Sequence, residues 1–240
     1  GTPGYGWWRG EDGQTAGAFV WTPPHPVILS PMTDEAAEEL ARALADDGRK
    51  VTAVNGCGAV AEAVARAWSR RTGLAAHVRV RRRLYRLGTL RPPVPAPAGN
   101  SRLATAADRE LLLKWCDAFA VDVGEDPSGN ARTVDDRLTH NGWMLWEVAG
   151  EPVSLAGITR TVSGTARVAP VYTPPELRRR GYAGAVTAAI SQAALDAGAS
   201  DVLLFTDLAN PTSNALYQRL GYEPVEDHLV IAFTEEPSAP

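Results

Sequence analysis

Three arginines and a glycine, Arg178, Arg179, Arg180 and Gly181, open an apolar run with helical spacing in the stretch PPELRRRGYAGAVTAAI, residues 174–190. Cations are misplaced at that end of a helix, because the dipole leaves the N-terminus positive and the C-terminus negative. An anion held at the same end removes the conflict. A helix N-terminus offers free amides, a glycine lets a ligand approach the backbone, and guanidinium groups add charge and forked donors. The stretch therefore reads as a pyrophosphate cradle on a strand-loop-helix unit. Taken alone, the same residues also fit a solvated basic loop, since charged side chains ordinarily face water.

The elements that position this loop follow from apolar spacing. Residues 105–124 are helical, with Leu112, Trp115, Cys116 and Phe119 on one stripe and Thr105 with Asp108 as a capping box. Residues 131–142 form a short helix closed by Gly142, and 143–161 a hairpin turning at Gly150. The strand over 166–173 contains Pro170, which predicts a bulge or an edge. Helix 181–198 buries Val186, Ala189, Ile190, Ala193, Ala194 and Ala197. A buried strand at 201–207, a helix at 211–221 started by Pro211 and stopped by Gly221, and strand material at 222–233 complete this half.

Residues 90–101, LRPPVPAPAGNS, hold four prolines and cannot form a central strand or a helix interior, so they read as a linker or strap. This divides the chain into residues 1–95 and 96–240. The first part repeats much of the order of the second: a hairpin turning at Asp12-Gly13, a strand over 26–32, a helix from Thr33 to Gly48, a strand over 50–56, a helix over 58–73 and a strand over 76–88. Overlaying the hairpins puts Gly17 opposite Gly157 and Trp8 near Trp146, which implies a weak internal duplication. The elements that would precede the first hairpin are missing and the chain opens without methionine, so its beginning is expected to be absent. The basic face of the strand at 76–88, Arg79, Arg81 and Arg83, reads as a charged edge, with acidic-substrate or RNA contact as the lesser alternative.

Bulk properties narrow the function classes. The chain has 240 residues, 45% hydrophobic, enough for a substantial core. A net charge of −4 argues against nucleic acid as the partner. Two distant cysteines, Cys57 and Cys116, offer neither a disulfide framework nor a metal motif and fit a reducing, cytoplasmic setting. No signal-peptide pattern is present, and no apolar run approaches the roughly 20 residues of a membrane span.

The loop Arg178-Arg179-Arg180-Gly181-Tyr182-Ala183 resembles the Arg/Gln-x-x-Gly-x-Gly/Ala signature of the GNAT superfamily of acetyl-CoA-dependent N-acyltransferases. Downstream, NPTSNALYQRLGY resembles that family's Asn, its Tyr seven residues on and its Gly-aromatic pair: Asn210, Tyr217 and Gly221-Tyr222. The resemblance covers residues 101–240 and is only topological over 1–90. It implies a mixed α/β fold, a central mixed sheet flanked by helices, in two tandem GNAT-like domains of which the first is degenerate.

The resemblance also implies a chemistry. An amine attacks the thioester of acetyl-CoA by direct transfer, with no metal. An oxyanion donor comes from the splayed strand around Val171, Tyr172 and Thr173, though not from Pro170, which has no amide. The pyrophosphate is held by Arg178–Ala183, and the pantetheine by Asn210 with Ser213 and Asn214. Tyr217 matches the family's acid: a phenol of pKa about 10 can donate to a thiolate whose conjugate acid is near 8.5. Asp207, Glu147, His140 and a water chain all remain as routes for the amine's proton, Asp207 being the side chain preferred. Asp34 and Glu35, at the first half's helix start, would repel phosphate. The expected acceptor is a small primary amine or amino-acid-like compound, and the protein a monomer or homodimer. Transfer from other acyl-CoAs, as in glycine N-acyltransferases, and a non-catalytic acyl-CoA-binding module are the alternatives.

Overall fold

The computed structural model describes residues 2–235. In chain order the elements are β1 (Gly4–Arg9), β2 (Thr15–Trp21), β3 (Val27–Leu29), α1 (Asp34–Asp46), β4 (Ala53–Cys57), α2 (Gly58–Thr72), β5 (Ala75–Leu87) and β6 (Asn100–Leu103). They continue with α3 (Arg109–Val123), α4 (Asn130–Leu138), β7 (Trp143–Val148), β8 (Glu151–Ile158), β9 (Thr165–Tyr172), α5 (Tyr182–Asp196), β10 (Asp201–Asp207), α6 (Pro211–Arg219) and β11 (Tyr222–Thr234). Two compact units result. The first runs to Leu84, takes in Thr206–Ala209 and resumes at Val225; the second holds Tyr85–Phe205 and Asn210–Pro224. The proline-rich segment at 90–101 lies within the second unit. Among the described residues, no helix is long and apolar enough to cross a membrane.

In the first unit β1 and β2 pair antiparallel across a turn fixed by Gly13 (φ 75°) and by Asp12, whose carboxylate accepts from Gln14 N at 2.9 Å. β3 lies antiparallel to β2 and parallel to β4. On its other side β4 pairs antiparallel with the chain's last strand, His228 opposite Cys57. α1 and α2 bury Ala41, Ala61, Val64 and Trp68 against Val27, Val54 and Ile231.

The basic strand β5 is not an edge. Arg83 is bidentate to Asp227 on β11, and on its other side Arg81 O accepts from Leu208 N at 2.9 Å. Arg83 therefore answers a neighbouring carboxylate, and the strand is not a free ladder.

In the second unit β6, β7, β8 and β9 are successive antiparallel neighbours, and β9 is parallel to β10. Alternation sorts the sheet's two faces. Met144, Ala156, Ile158, Ala166 and Val168 pack with Val186 and Ile190 of α5. Trp143, Leu145, Leu155 and Tyr172 pack with Leu112, Trp115 and Val134 of α3 and α4. The capping box forms as the sequence predicts, Thr105 N donating to Asp108 at 2.8 Å. α5 is buried more completely than a single stripe allows. Thr187 and Ser191 are fully buried, their hydroxyls donating to Ala183 O and Thr187 O, whereas Ala197 is exposed.

The hairpin overlay shifts by three residues. Gly17 lies across from Trp8, and Gly157 across from Trp143, so Trp143 rather than Trp146 is the counterpart of Trp8. Gly157 is glycine for want of room: a Cβ there would sit 2.5 Å from the Trp143 ring.

Candidate active site

The site begins with a bulge. β9 pairs with β8 at Tyr172↔Leu155, Val171↔Ala156 and Val168↔Ile158, so Ala169 and Pro170 together face the single Gly157. Pro170 thus marks a bulge in an internal strand rather than an edge. A bulge adds one residue and exchanges the faces beyond it: Val168 packs toward α5, whereas Tyr172 packs toward α3. The ladder between β9 and β10 runs from Thr165↔Asp201 to Val168↔Leu204 and stops there. Val171, Tyr172 and Thr173 follow the point where the two strands part. Ser154 Oγ fixes this end, donating to Tyr172 O at 2.9 Å and lying 2.8 Å from Thr173 Oγ1.

From Thr173 the chain turns through two prolines into the arginine loop. Arg179 has φ 63° and Gly181 has φ 85°. Alternate left-handed residues turn successive amides toward one concavity, the arrangement that receives anions. Gly181 is the N-cap of the 15-residue α5, and no side chain caps the helix. The three arginines divide the work. Arg178 is built in, its Nε donating to Thr173 O at 2.9 Å, its guanidinium pairing with Asp122 at 2.6 Å and lying over the Tyr172 ring. Arg179 and Arg180 are exposed, and Arg180 reaches Glu176 O at 3.4 Å. Tyr182 is buried and Ala183 half-buried at the first turn.

The strap borders this loop. Pro97 lies 3.5 Å from where a Gly181 Cβ would stand, and Pro93 at the same distance from one on Gly184. Leu216 of α6 comes within 3.0 Å of that second position, so glycine lets α5, α6 and the strap meet. Trp146 Nε1 donates to Ala98 O at 3.0 Å and Arg91 N to Leu220 O at 2.9 Å, anchoring the strap at both ends.

On α6, Tyr217 is 9% exposed and stands edge-on to Tyr222, ring centroids 6.0 Å apart. Burial, and secondarily Tyr222, push its phenol well above the ordinary value. At neutral pH it is protonated, and it suits hydrogen bonding to developing charge better than complete proton transfer. Asn210 accepts from Ser213 N at 3.0 Å as the N-cap of α6, and Asn214 donates to Asn210 O at 2.8 Å. The sequence reading missed Tyr85. It is fully buried on β5, donates to Asn214 Oδ1 at 3.0 Å and accepts from Gln218 at 3.3 Å. Nothing in its local sequence places it against α6, because the contact spans 129 residues.

The proposed bases are engaged. Asp207 belongs to the first unit, where its carboxylate accepts from Ala209 N at 2.8 Å. Glu147 pairs with Arg102 at 2.6 Å, and Arg102 is also bidentate to Asp108. His140 has its ring nitrogens 3.1 Å from Asp136 O and 3.4 Å from Ile158 O. Among the described residues, no cluster of three or more His, Cys, Asp or Glu could hold a metal.

The sequence model of the acetyltransferase (GNAT) family matches residues 110–222. Comparison with curated proteins gives no match. Many solved structures share the fold, three of them as follows. A GCN5-related N-acetyltransferase from Sphaerobacter thermophilus is 16% identical with a TM-score of 0.67, over 94% of this chain and 79% of that one. A GCN5-related N-acetyltransferase from Kribbella flavida is 20% identical with a TM-score of 0.64, over 91% and 86%. A Drosophila protein is 15% identical with a TM-score of 0.70, over 97% and 80%.

Proposed function

We propose that this chain, whose residues 110–222 match the acetyltransferase (GNAT) family model, is an N-acetyltransferase moving the acetyl group of acetyl-CoA directly to a primary amine of a small or amino-acid-like compound. The start of α5 carries this reading: an uncapped 15-residue helix, a left-handed glycine and three arginines, beside a strand that parts from its neighbour. Acetyl-CoA supplies an activated carbonyl and a thiol leaving group. The loop amides and the exposed Arg179 and Arg180 bind its pyrophosphate, with Arg178 holding the loop to Thr173 and Asp122. Amides in the segment Val171–Thr173 stabilise the carbonyl oxygen as it gains charge. The C–N bond forms as the C–S bond breaks; the amine's proton goes to water or a side-chain base, and Tyr217 Oη holds a proton for the sulfur.

The first unit is, in this reading, a copy that does not bind CoA. Its α1 starts with Thr33, whose hydroxyl accepts from Ala36 N at 3.2 Å, followed by Asp34 and Glu35.

The test is a panel of amines with acetyl-CoA and longer acyl-CoAs, read by thiol release and product mass. Acetylated product with an amine-dependent rate is expected. A preference for longer chains would move the assignment to another acyl donor. One observation favours a binding module instead, namely the engagement of Glu147 and His140. CoA binding without turnover across the panel would establish that alternative.

A further inference from the structure

A 670 Å3 cavity opens on the face of β9 opposite to α5. Its walls belong to the second unit: Arg132, Asp136 and Arg137 from α4, Arg160 from the loop after β8, and Thr165 and Arg167 from β9. Four guanidinium groups and one carboxylate make its lining strongly positive, in a chain whose net charge is −4. Arg132, Arg160 and Arg167 are exposed at its rim, whereas the fourth arginine is buried. Arg137 is only 7% exposed, and its partners are the Ala169 carbonyl, to which it donates, and the Trp143 ring at 4.9 Å. A cation removed from water without a carboxylate is costly, and burial pushes Arg137 down to about 10. Asp136, the one carboxylate, is taken by Arg160 at 3.0 Å. An anion entering the cavity therefore meets guanidinium groups carried by helix, strand and loop, the group that recognises carboxylate or phosphate bidentately.

The place of the cavity says what that anion belongs to. Ala166 and Val168 face α5, whose N-terminal loop is assigned to the acyl donor, whereas Thr165 and Arg167 face the cavity. Arg137 holds the carbonyl of Ala169, inside the bulge that leads to the Val171–Thr173 amides. Arg167 and Val171 are four residues apart, about 10–13 Å of extended chain. We propose that this cavity receives the carboxylate or phosphate end of the acylated amine, a compound whose two ends lie about 10 Å apart; the inference rests on the acyl-transfer reading above. Two α4 and loop arginines, Arg132 and Arg160, set the preference, and Arg137 forms the floor.

The experiment compares octylamine, 8-aminooctanoate, 8-aminooctyl phosphate and 1,8-diaminooctane as acceptors for the full chain, wild type and Arg132→Gln/Arg160→Gln. Both positions are on the surface, so the double variant should keep its fold, checked by circular dichroism and melting temperature. Wild type should favour one or both acidic amines over octylamine by at least tenfold in kcat/KM, with the diamine poorest, and the variant should lose that preference. The carboxylate and phosphate arms distinguish the two anions. Equal kcat/KM for octylamine and the acidic amines, or a preference that survives in the variant, overturns the proposal. Calorimetric titration of 8-aminooctanoate into Gly181→Trp, with and without the arginine pair, separates the two levels of inference. Binding that depends on the pair, where the wild-type chain acylates no amine, retains an anion site and rejects acyl transfer together with the acceptor role. Absence of binding rejects the cavity as a site even where other amines are acetylated.

Discussion

Two helix starts, α1 and α5, have opposite chemistry. At α1 the Thr33 hydroxyl accepts an amide of the first turn, and Asp34 and Glu35 complement the positive end of the dipole. At α5 no side chain caps the helix, the first-turn residues carry no acid, and Gly181 stands in the left-handed region after three arginines. One start is completed by its own side chains and the other is not. The packing of the two units differs in the same direction. The buried side-chain polar atoms without a partner among the described residues, Asn55 Oδ1, Trp68 Nε1 and Ser69 Oγ, are all in the first unit. In the proposed reading a handful of residues at the first turn separates a helix start that binds CoA from one that does not.

The largest way to break this contrast is Gly181→Trp. Left-handed backbone costs a non-glycine residue roughly 1–2 kcal/mol, and the indole fills the space before the amides. CoA affinity should fall more than about a hundredfold, while circular dichroism stays native because Gly181 is exposed. Retained affinity would show that the loop is not the cradle.

Tyr217→Phe comes next. The ring contact with Tyr222 survives, so the melting temperature should hold. With the proton lost at sulfur, kcat should fall on the order of 10²-fold and CoA affinity much less. A fall in stability with unchanged kcat would return Tyr217 to core packing.

Arg179→Ala and Arg180→Ala should each weaken CoA roughly tenfold, the usual effect of losing a charge-assisted bond. Thr33→Ala is the control from the other helix: about 1 kcal/mol of stability lost with the cap and no change in CoA affinity. A CoA effect from Thr33→Ala would erase the contrast.

The smallest effect is a pH dependence at a third helix start. Arg102 holds the Asp108 carboxyl down to about 2, with the Thr105 amide assisting. A carboxyl lowered on folding stabilises fully above its unfolded value of about 3.9 and loses that contribution as pH falls toward 2. Asp108→Asn should therefore be less stable than wild type at pH 5 by urea unfolding, and the two should converge near pH 2.

Most of this architecture was legible locally. The apolar periods gave α3 and α5, the Thr105 box and the Asp12-Gly13 turn were read from adjacent residues, and Pro170 marked the bulge. Features set by distant partners were not. β5 looked like a guarded edge because Asp227, the carboxylate Arg83 answers, lies 144 residues away. Tyr85 was invisible as a partner of Asn214 for the same reason. At the candidate site the sequence identified the loop but not its division of labour, since nothing in three consecutive arginines says that Arg178 is tied to Asp122. The arginine cavity was likewise hidden, because its walls come from helix, loop and strand segments whose charges look solvated one at a time.

The most direct test of one open and one closed helix start is the number of CoA sites per chain. Isothermal calorimetry on the full chain should give a single site, abolished by Gly181→Trp and untouched by Thr33→Ala. Two sites of comparable affinity, or one site that survives Gly181→Trp, would contradict the account.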